Sequence, residues 1–111
     1  MVTESLDALK SEFFRSLAHP ARIRILELLV TGDRPVTELL AAVGVEASNL
    51  SQQLGVLRRA GIVTPHRQGN AVTYSIASPH IAELLVLARR ALSGLLSEQI
   101  EALERSTAGA P

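Results

Sequence analysis

Residues 36–63, VTELLAAVGVEASNLSQQLGVLRRAGIV, contain two short helical patterns separated by a turn of three residues. In the first pattern, about 36–43, the expected buried side chains recur at helical spacing: Leu39, Leu40 and Val43. Gly44 follows directly, and glycine is the residue best suited to the left-handed conformation that ends many helices. Because only residues 44–46 lie between the two patterns, the segment predicts a helix-turn-helix.

The second pattern, about 47–60, has an apolar side and a polar side. Its apolar side chains recur every three or four residues and are expected to face the core: Ala47, Leu50, Leu54, Leu57 and Ala60. Its front carries uncharged polar groups: Ser48, Asn49, Ser51, Gln52 and Gln53. Glycine in a helix interior costs about 1 kcal/mol relative to alanine. We therefore expect Gly55 to permit close approach by a neighbouring helix.

Three further helices are predicted outside this segment. An amphipathic pattern covers residues 4–17, and a helix of about 20–31 can begin at a proline, whose missing N–H costs nothing in a first turn. Residues 31–35, TGDRP, are expected to form a short loop. The pattern of residues 78–105 predicts one long helix that is too apolar for the core of a small domain alone. We expect the tail, residues 106–111, to be disordered.

A β-hairpin is predicted between the helix-turn-helix and the last helix. The runs IVTPHR and AVTYSI have β character, and Gln68, Gly69 and Asn70 between them suit a tight turn. Pro65 fits an edge strand, because proline cannot donate a hydrogen bond to a second neighbour. This order predicts a mainly α fold with a small β-hairpin, a winged helix-turn-helix, formed by a single domain of residues 1–105.

The polar front of the 47–60 helix has the chemistry needed to contact DNA bases. Asn and Gln suit adenine in the major groove, and Ser can serve several bases. Arg58 and Arg59 are better placed for phosphates, and the hairpin tip, residues 66–71, is expected to contact the flanking backbone or the minor groove. The predicted DNA-binding residues are Ser48, Asn49, Ser51, Gln52, Gln53, Arg58, Arg59, Arg67, Gln68 and Asn70.

The charge distribution supports a local basic surface. Eleven basic and eleven acidic residues give a formal net charge of zero, so no global field attracts nucleic acid. No acidic residue lies between Glu46 and Glu83, whereas Arg58, Arg59 and Arg67 do, which leaves this stretch with an excess of three positive charges.

Composition excludes several other functions. The chain has no cysteine, which rules out disulfides, thiolate metal sites and thiol redox sensing. It also has no glycine-rich phosphate loop, and its serines have no histidine and acid at a motif spacing, so we do not expect an enzyme. No apolar run approaches the roughly 20 residues that span a bilayer, and the first ten residues lack the basic start of a signal peptide. A cytoplasmic protein is expected.

Three segments resemble, in order and spacing, the ArsR/SmtB-type family of bacterial winged-helix repressors. They are FFRSLAHPARIRILELL, VTELLAAVGVEASNLSQQLGVLRRAGIV and RQGNAVTYSI, and the resemblance covers about residues 10–95. It implies a homodimer on a symmetric operator, with half-sites about 34 Å apart. It also implies an interface formed by the first and last helices. The interface candidates are Leu6, Leu9, Phe13, Leu84, Ala88, Leu92, Leu95 and Leu96.

The resemblance is weaker where metal-sensing members bind their metal. The stretch that matches their cysteine motif in the third helix is Glu38, Leu39, Leu40, Ala41 and Ala42, which cannot bind metal in that way. The positions that match their other ligand set, in the last helix, are Ser78, His80, Ala91 and Gly94. Only His80 retains a ligand of the second set. A nickel or zinc site built from His19, His66, His80 and nearby carboxylates stays open at this point.

Other effectors and another class of function also remain open. The regulator could be constitutive, act with a partner regulator protein, or sense a small apolar ligand at the dimer interface. The alternative class is a winged-helix protein-interaction or co-regulator module, because folds host many functions and the net charge is zero.

Overall fold

The computed structural model describes the backbone of residues 5–108 and the side chains of residues 5–106. Within that range, five helices and three short strands follow one another. They are α1 (Leu6–Leu17), α2 (Pro20–Val30), β1 (Arg34–Pro35), α3 (Val36–Val43), α4 (Ala47–Arg59), β2 (Val63–Gln68), β3 (Ala71–Ile76) and α5 (Pro79–Ala108). The predicted winged helix-turn-helix order is confirmed, with one strand more than expected.

Side-chain caps fix the starts of the first two helices. Ser5 Oγ accepts a hydrogen bond from the backbone N–H of Ala8 at 3.0 Å, so α1 begins at Leu6; the predicted start at Glu4 lies outside the described residues. His19 Nδ1 accepts from the backbone N–H of Ala21 at 3.0 Å, directly before Pro20. Each cap satisfies an amide that would otherwise lack a partner in the first turn.

The turn between α3 and α4 has the predicted geometry. Gly44 is left-handed at φ 75°, and its N–H donates to the carbonyl of Leu40 at 3.3 Å. The recognition helix α4 then begins at Ala47 and ends at Arg59, one residue before the predicted end. Its core side chains are Leu50, Leu54 and Leu57. Ala47 and Ala60 are exposed, so the prediction that they face the core is wrong.

The three-stranded sheet has the order β1-β3-β2. In the predicted hairpin β2 pairs with β3 from Val63↔Ile76 to Gln68↔Ala71, and Gly69 takes φ 64° in the turn. The edge position predicted from Pro65 is confirmed, because β2 has only β3 as a neighbour. The predicted loop at residues 31–35 differs: Arg34 and Pro35 pair with β3 as a short strand.

One apolar core lies among α2, α3, α4 and the sheet. Its buried members are Leu17, Ile25, Leu26, Leu29, Leu39, Leu50, Leu54, Leu57, Ile62, Val63, Tyr74 and Leu85. Only the N-terminal part of α5 contributes, and from Val86 through residue 106 every side chain is exposed. The helix continues through Ala108, so disorder from residue 106 is wrong for residues 106–108. The rest of the predicted tail lies outside the described residues.

Candidate nucleic-acid interface

The exposed face of α4 carries three of the predicted base-contacting side chains. Ser48, Ser51 and Gln52 are all exposed. Their spacing of three and four residues puts them on one side of the helix, at its N-terminal end. Glu46 precedes the helix, and its side chain accepts no hydrogen bond from the first amides of α4. This end of the helix can approach both base edges and phosphates.

Gln53 does not lie on this face, contrary to the prediction. Its side chain is only 6% exposed. Its Oε1 accepts from Arg22 Nη1 at 2.8 Å, and its Nε2 donates to Asn49 Oδ1 at 3.0 Å. The physical reason is its spacing: Gln53 follows Leu50 by three residues and precedes Leu57 by four, which places it on the buried side of the helix. Asn49 is half-buried beside it.

Gly55 has a different neighbour from the one predicted. A Cβ added there would lie 3.1 Å from Arg59 Nη1, and the three heavy atoms nearest to it all belong to the Arg59 guanidinium. The guanidinium of Arg59 therefore folds back over the glycine, one turn nearer to Ser51 and Gln52. This geometry extends the positive charge along the exposed face of α4.

The other basic and polar candidates lie at the C-terminal end of α4 and in the β2-β3 hairpin, which is the wing of this fold. Arg58 is exposed at the C-terminal end of α4. In the wing, Arg67, Gln68 and Asn70 are exposed at or beside the β2-β3 turn. His66, half-buried, lies 4.0 Å from Asp33 and ties the wing to the loop before β1. Residues 47–82, which contain no Asp or Glu, include all of α4 and both strands of the wing.

A second surface is apolar. Ten large hydrophobic side chains are exposed in the described part of the chain, and all ten belong to α1 or α5. They are Leu6, Leu9, Phe14, Val86, Leu87, Leu92, Leu95, Leu96, Ile100 and Leu103. An exposed apolar surface of this kind marks an interaction site. An open groove of about 670 Å³ between α1, α2 and α5 lies within it, lined in part by Phe14, Ile23 and Leu84.

The structure places most interface candidates on this apolar surface, with two differences. Leu6, Leu9, Ala88, Leu92, Leu95 and Leu96 are exposed as expected. Phe13 and Leu84 are half-buried and pack against the protomer's own core. Phe14 is 55% exposed and lies on the apolar surface, but the helical spacing of α1 predicted Phe13 there instead. An ion pair between Arg89 and Glu27, at 3.1 Å, attaches α5 to α2.

The three histidines considered for metal binding have local partners, and that of His66 is Asp33. His19 caps α2, and His80 Nδ1 lies 3.9 Å from Glu83 on the same helix. Among the described residues, no group of three His, Asp or Glu side chains could hold a metal ion. A search of the same residues finds no helix long and apolar enough to cross a membrane.

Comparisons with known proteins agree with this geometry. A helix-turn-helix domain family matches residues 17–66. The chain is 63% identical over 110 residues to Rv0081, an HTH-type transcriptional regulator of Mycobacterium tuberculosis, across 98% of this chain and 96% of that one. The crystal structure of Rv0081 superposes with a TM-score of 0.81 at 65% identity, covering 88% of this chain and 99% of the other.

Two further relatives identify the wider family. The homodimeric winged helix-turn-helix DNA-binding domain Mb0332 of Mycobacterium bovis has a TM-score of 0.77 at 28% identity, covering 88% of this chain and 95% of that domain. The transcriptional repressor SmtB of M. tuberculosis is 41% identical over 83 residues, 75% of this chain and 61% of the repressor.

Fold and site together define a winged helix-turn-helix DNA-binding protein. The chain belongs to the ArsR/SmtB-type family of transcriptional regulators, whose members regulate transcription rather than catalyse reactions. The family and the fold class predicted from the sequence are confirmed.

Proposed function

We propose that this chain is a repressor that binds a two-fold symmetric operator as a homodimer. The observation that carries the proposal is the exposed polar face of α4, where Ser48, Ser51 and Gln52 follow a glycine turn. No acid interrupts the sequence from residue 47 to 82. In a winged helix-turn-helix such a helix enters the major groove with its N-terminal residues at the base edges.

Each part of the surface has a role in this arrangement. Ser48, Asn49, Ser51 and Gln52 contact base edges, whereas Arg58 and Arg59 neutralise phosphates. Arg67, Gln68 and Asn70 in the wing contact the flanking backbone or the minor groove. Gln53 supports the helix from the buried side.

The second protomer covers the apolar surface of α1 and α5. The ten exposed hydrophobic side chains there would be costly to leave in water, at about 25 cal/mol per Å² of apolar surface. The homodimeric state of the Mb0332 domain supports the same assembly for this chain. Two copies of α4 related by a two-fold axis then meet half-sites about one helical turn, roughly 34 Å, apart. A protein that binds bacterial chromosomal DNA works in the cytoplasm.

The test is selection of bound duplexes from a random DNA pool, followed by affinity measurements on the selected sequence and on random DNA. Ser51→Ala and Gln52→Ala should each weaken the selected site by about 1 to 3 kcal/mol and leave random DNA nearly unaffected. Arg67→Ala should weaken both, because phosphate contacts do not depend on sequence. Ser97→Ala, an exposed serine of α5, is the matched control and should change neither. Equal losses on both DNAs for Gln52→Ala would contradict base contact by α4.

A further inference from the structure

A chain of side-chain hydrogen bonds connects α1, α2 and the recognition helix. Arg22 Nε donates to the carbonyl of Ser16 at 2.8 Å, and its Nη2 donates to the carbonyl of Arg15 at 3.4 Å. Its Nη1 donates to Gln53 Oε1 at 2.8 Å, and Gln53 Nε2 donates to Asn49 Oδ1 at 3.0 Å. Arg22 is half-buried and Gln53 is buried, so water does not replace these partners freely.

The chemistry of Arg22 determines which atom of each amide in this series of hydrogen bonds donates and which accepts. A guanidinium can only donate hydrogen bonds, so the atom of Gln53 that faces it must be the oxygen. The amide nitrogen of Gln53 then faces Asn49 as a donor. A donor requires an acceptor, so Asn49 must turn its own oxygen inward. The orientation of two amides thus follows from one arginine on another helix.

As a consequence, the side-chain nitrogen of Asn49 is the amide atom that faces outward. Its Nδ2 has no hydrogen-bond partner among the described residues, while its Oδ1 is engaged by Gln53. Asn49 is the third residue of α4, beside the exposed Ser48 and Gln52, at the end of the helix that approaches the bases. An asparagine without such a contact can present either its oxygen or its N–H₂ group to DNA. Here the oxygen is bonded to Gln53, so the N–H₂ group is the one available.

We propose that Arg22, acting through Gln53, orients Asn49 so that it presents only hydrogen-bond donors to the DNA. The base that Asn49 contacts must then offer acceptors. Guanine offers two adjacent acceptors in the major groove, N7 and O6, whereas the paired contact to adenine needs an amide oxygen as well. Asn49 therefore selects guanine, and Arg22 is a positioning residue for specificity that never contacts DNA. This inference rests on the proposed function.

Two substitutions test this orientation: Gln53→Glu turns the Asn49 amide around, and Asn49→Asp replaces that amide with a carboxylate. In Gln53→Glu the carboxylate accepts from Arg22 and also from Asn49 Nδ2, so the asparagine oxygen turns outward. In Asn49→Asp one carboxylate oxygen accepts from Gln53 and the other faces the DNA, with the Arg22–Gln53 bond left in place. Both variants replace an outward donor with an outward acceptor. Ala47→Glu is the matched control, because it adds the same charge at the exposed N-terminal end of α4, at a residue outside both the base-contacting set and the hydrogen-bond chain.

The experiment is selection from a random DNA pool by the full chain, followed by competition between duplexes that differ at one base pair. The position contacted by Asn49 is the one whose preference is lost in Asn49→Ala. The readout is the ratio of affinities for the competing duplexes, because an added acid weakens all DNA binding through repulsion of phosphates. Thermal unfolding of each variant shows whether it is folded.

The wild-type chain should prefer guanine at that position by roughly five- to a hundredfold, the discrimination of a good base-edge contact. Gln53→Glu and Asn49→Asp should shift the preference to cytosine or adenine, which offer amino donors. Ala47→Glu should leave that position unchanged. The inference is overturned if both folded variants keep the preference for guanine, if the wild type prefers any base other than guanine there, or if Asn49→Ala alters no position. In each of these cases the selected site itself still supports the proposed function; a wild type that selects no sequence overturns both.

Discussion

Arg22 and Gln53 join the second helix to the recognition helix through a hydrogen bond of 2.8 Å. The contact spans 31 residues of sequence and lies beside the core residues Leu50 and Leu54. Both partners are polar side chains in positions where helical spacing would place apolar ones. The recognition helix is therefore held by a specific polar contact as well as by leucines.

Removing this contact should destabilise the protein. Arg22→Met keeps much of the side-chain volume but leaves Gln53 Oε1 and the Ser16 carbonyl without their donor. A buried polar group without a partner costs about 1 to 3 kcal/mol, and we expect a loss of that size in the free energy of unfolding. Denaturant unfolding at fixed protein concentration measures it. Arg58→Met, at an exposed arginine of α4, is the control and should change stability little.

Gly55→Ala should have the opposite effect on stability. The atoms nearest to the added Cβ belong to the end of the exposed Arg59 side chain, which can move away. Alanine gains about 1 kcal/mol over glycine in a helix interior. We expect an increase in the unfolding free energy of up to that amount. A destabilised variant would show that the glycine is required by packing that Arg59 cannot relieve.

The role of His19 as a helix cap can be tested by two substitutions. His19→Ala removes the acceptor for the Ala21 amide and should cost about 0.5 to 2 kcal/mol of stability. His19→Asn restores a capping acceptor and should recover most of that loss, measured again by denaturant unfolding. If Asn and Ala were equally destabilising, the cap would not be the contribution of this histidine.

Dimerisation through α5 can be tested by placing charge on its apolar side. Leu92→Asp or Leu95→Asp should give monomers, because an unpaired carboxylate is costly in an apolar interface. Glu101 follows Leu92 by nine residues and lies about 180° around a helix of 3.6 residues per turn, so Glu101→Lys, which changes charge on the polar side, is the matched control and should remain dimeric. Molecular mass by light scattering decides between these outcomes. An unchanged dimer mass for both leucine variants would remove α5 from the interface.

The sequence was sufficient for the elements whose signals are local. The Gly44 turn, the hairpin around Gly69 and the edge strand at Pro65 depend on backbone preferences of single residues, and all three were predicted. The pairing of Arg34 and Pro35 with β3 was not, because a two-residue strand is defined by its distant partner.

The sequence predicted the candidate site less completely. The polarity of Gln53 suggested contact with DNA, whereas its position in the helix places it on the buried side. Gln53 shares the helical spacing of Leu50 and Leu57, and Arg22 shares that of Ile25 and Leu26. When each of two helices has one polar residue among its buried apolar ones, those two residues can be expected to hydrogen-bond to each other. Which residues pair depends on how α2 crosses α4, and a single sequence does not specify that crossing.

Salt-dependent binding is the most direct test of whether this chain binds DNA through α4 and the wing. The measurement is the affinity of the purified protein for duplex DNA from its own promoter region, from about 50 to 200 mM salt. For a dimer that neutralises six or more phosphates we predict a linear fall of log affinity with log salt, by roughly a thousandfold or more over this range. Arg67→Ala should make the slope shallower, by about one unit for each phosphate contact that is lost. A protein that binds no such duplex even at the lowest salt would contradict the account and favour a winged helix that contacts proteins.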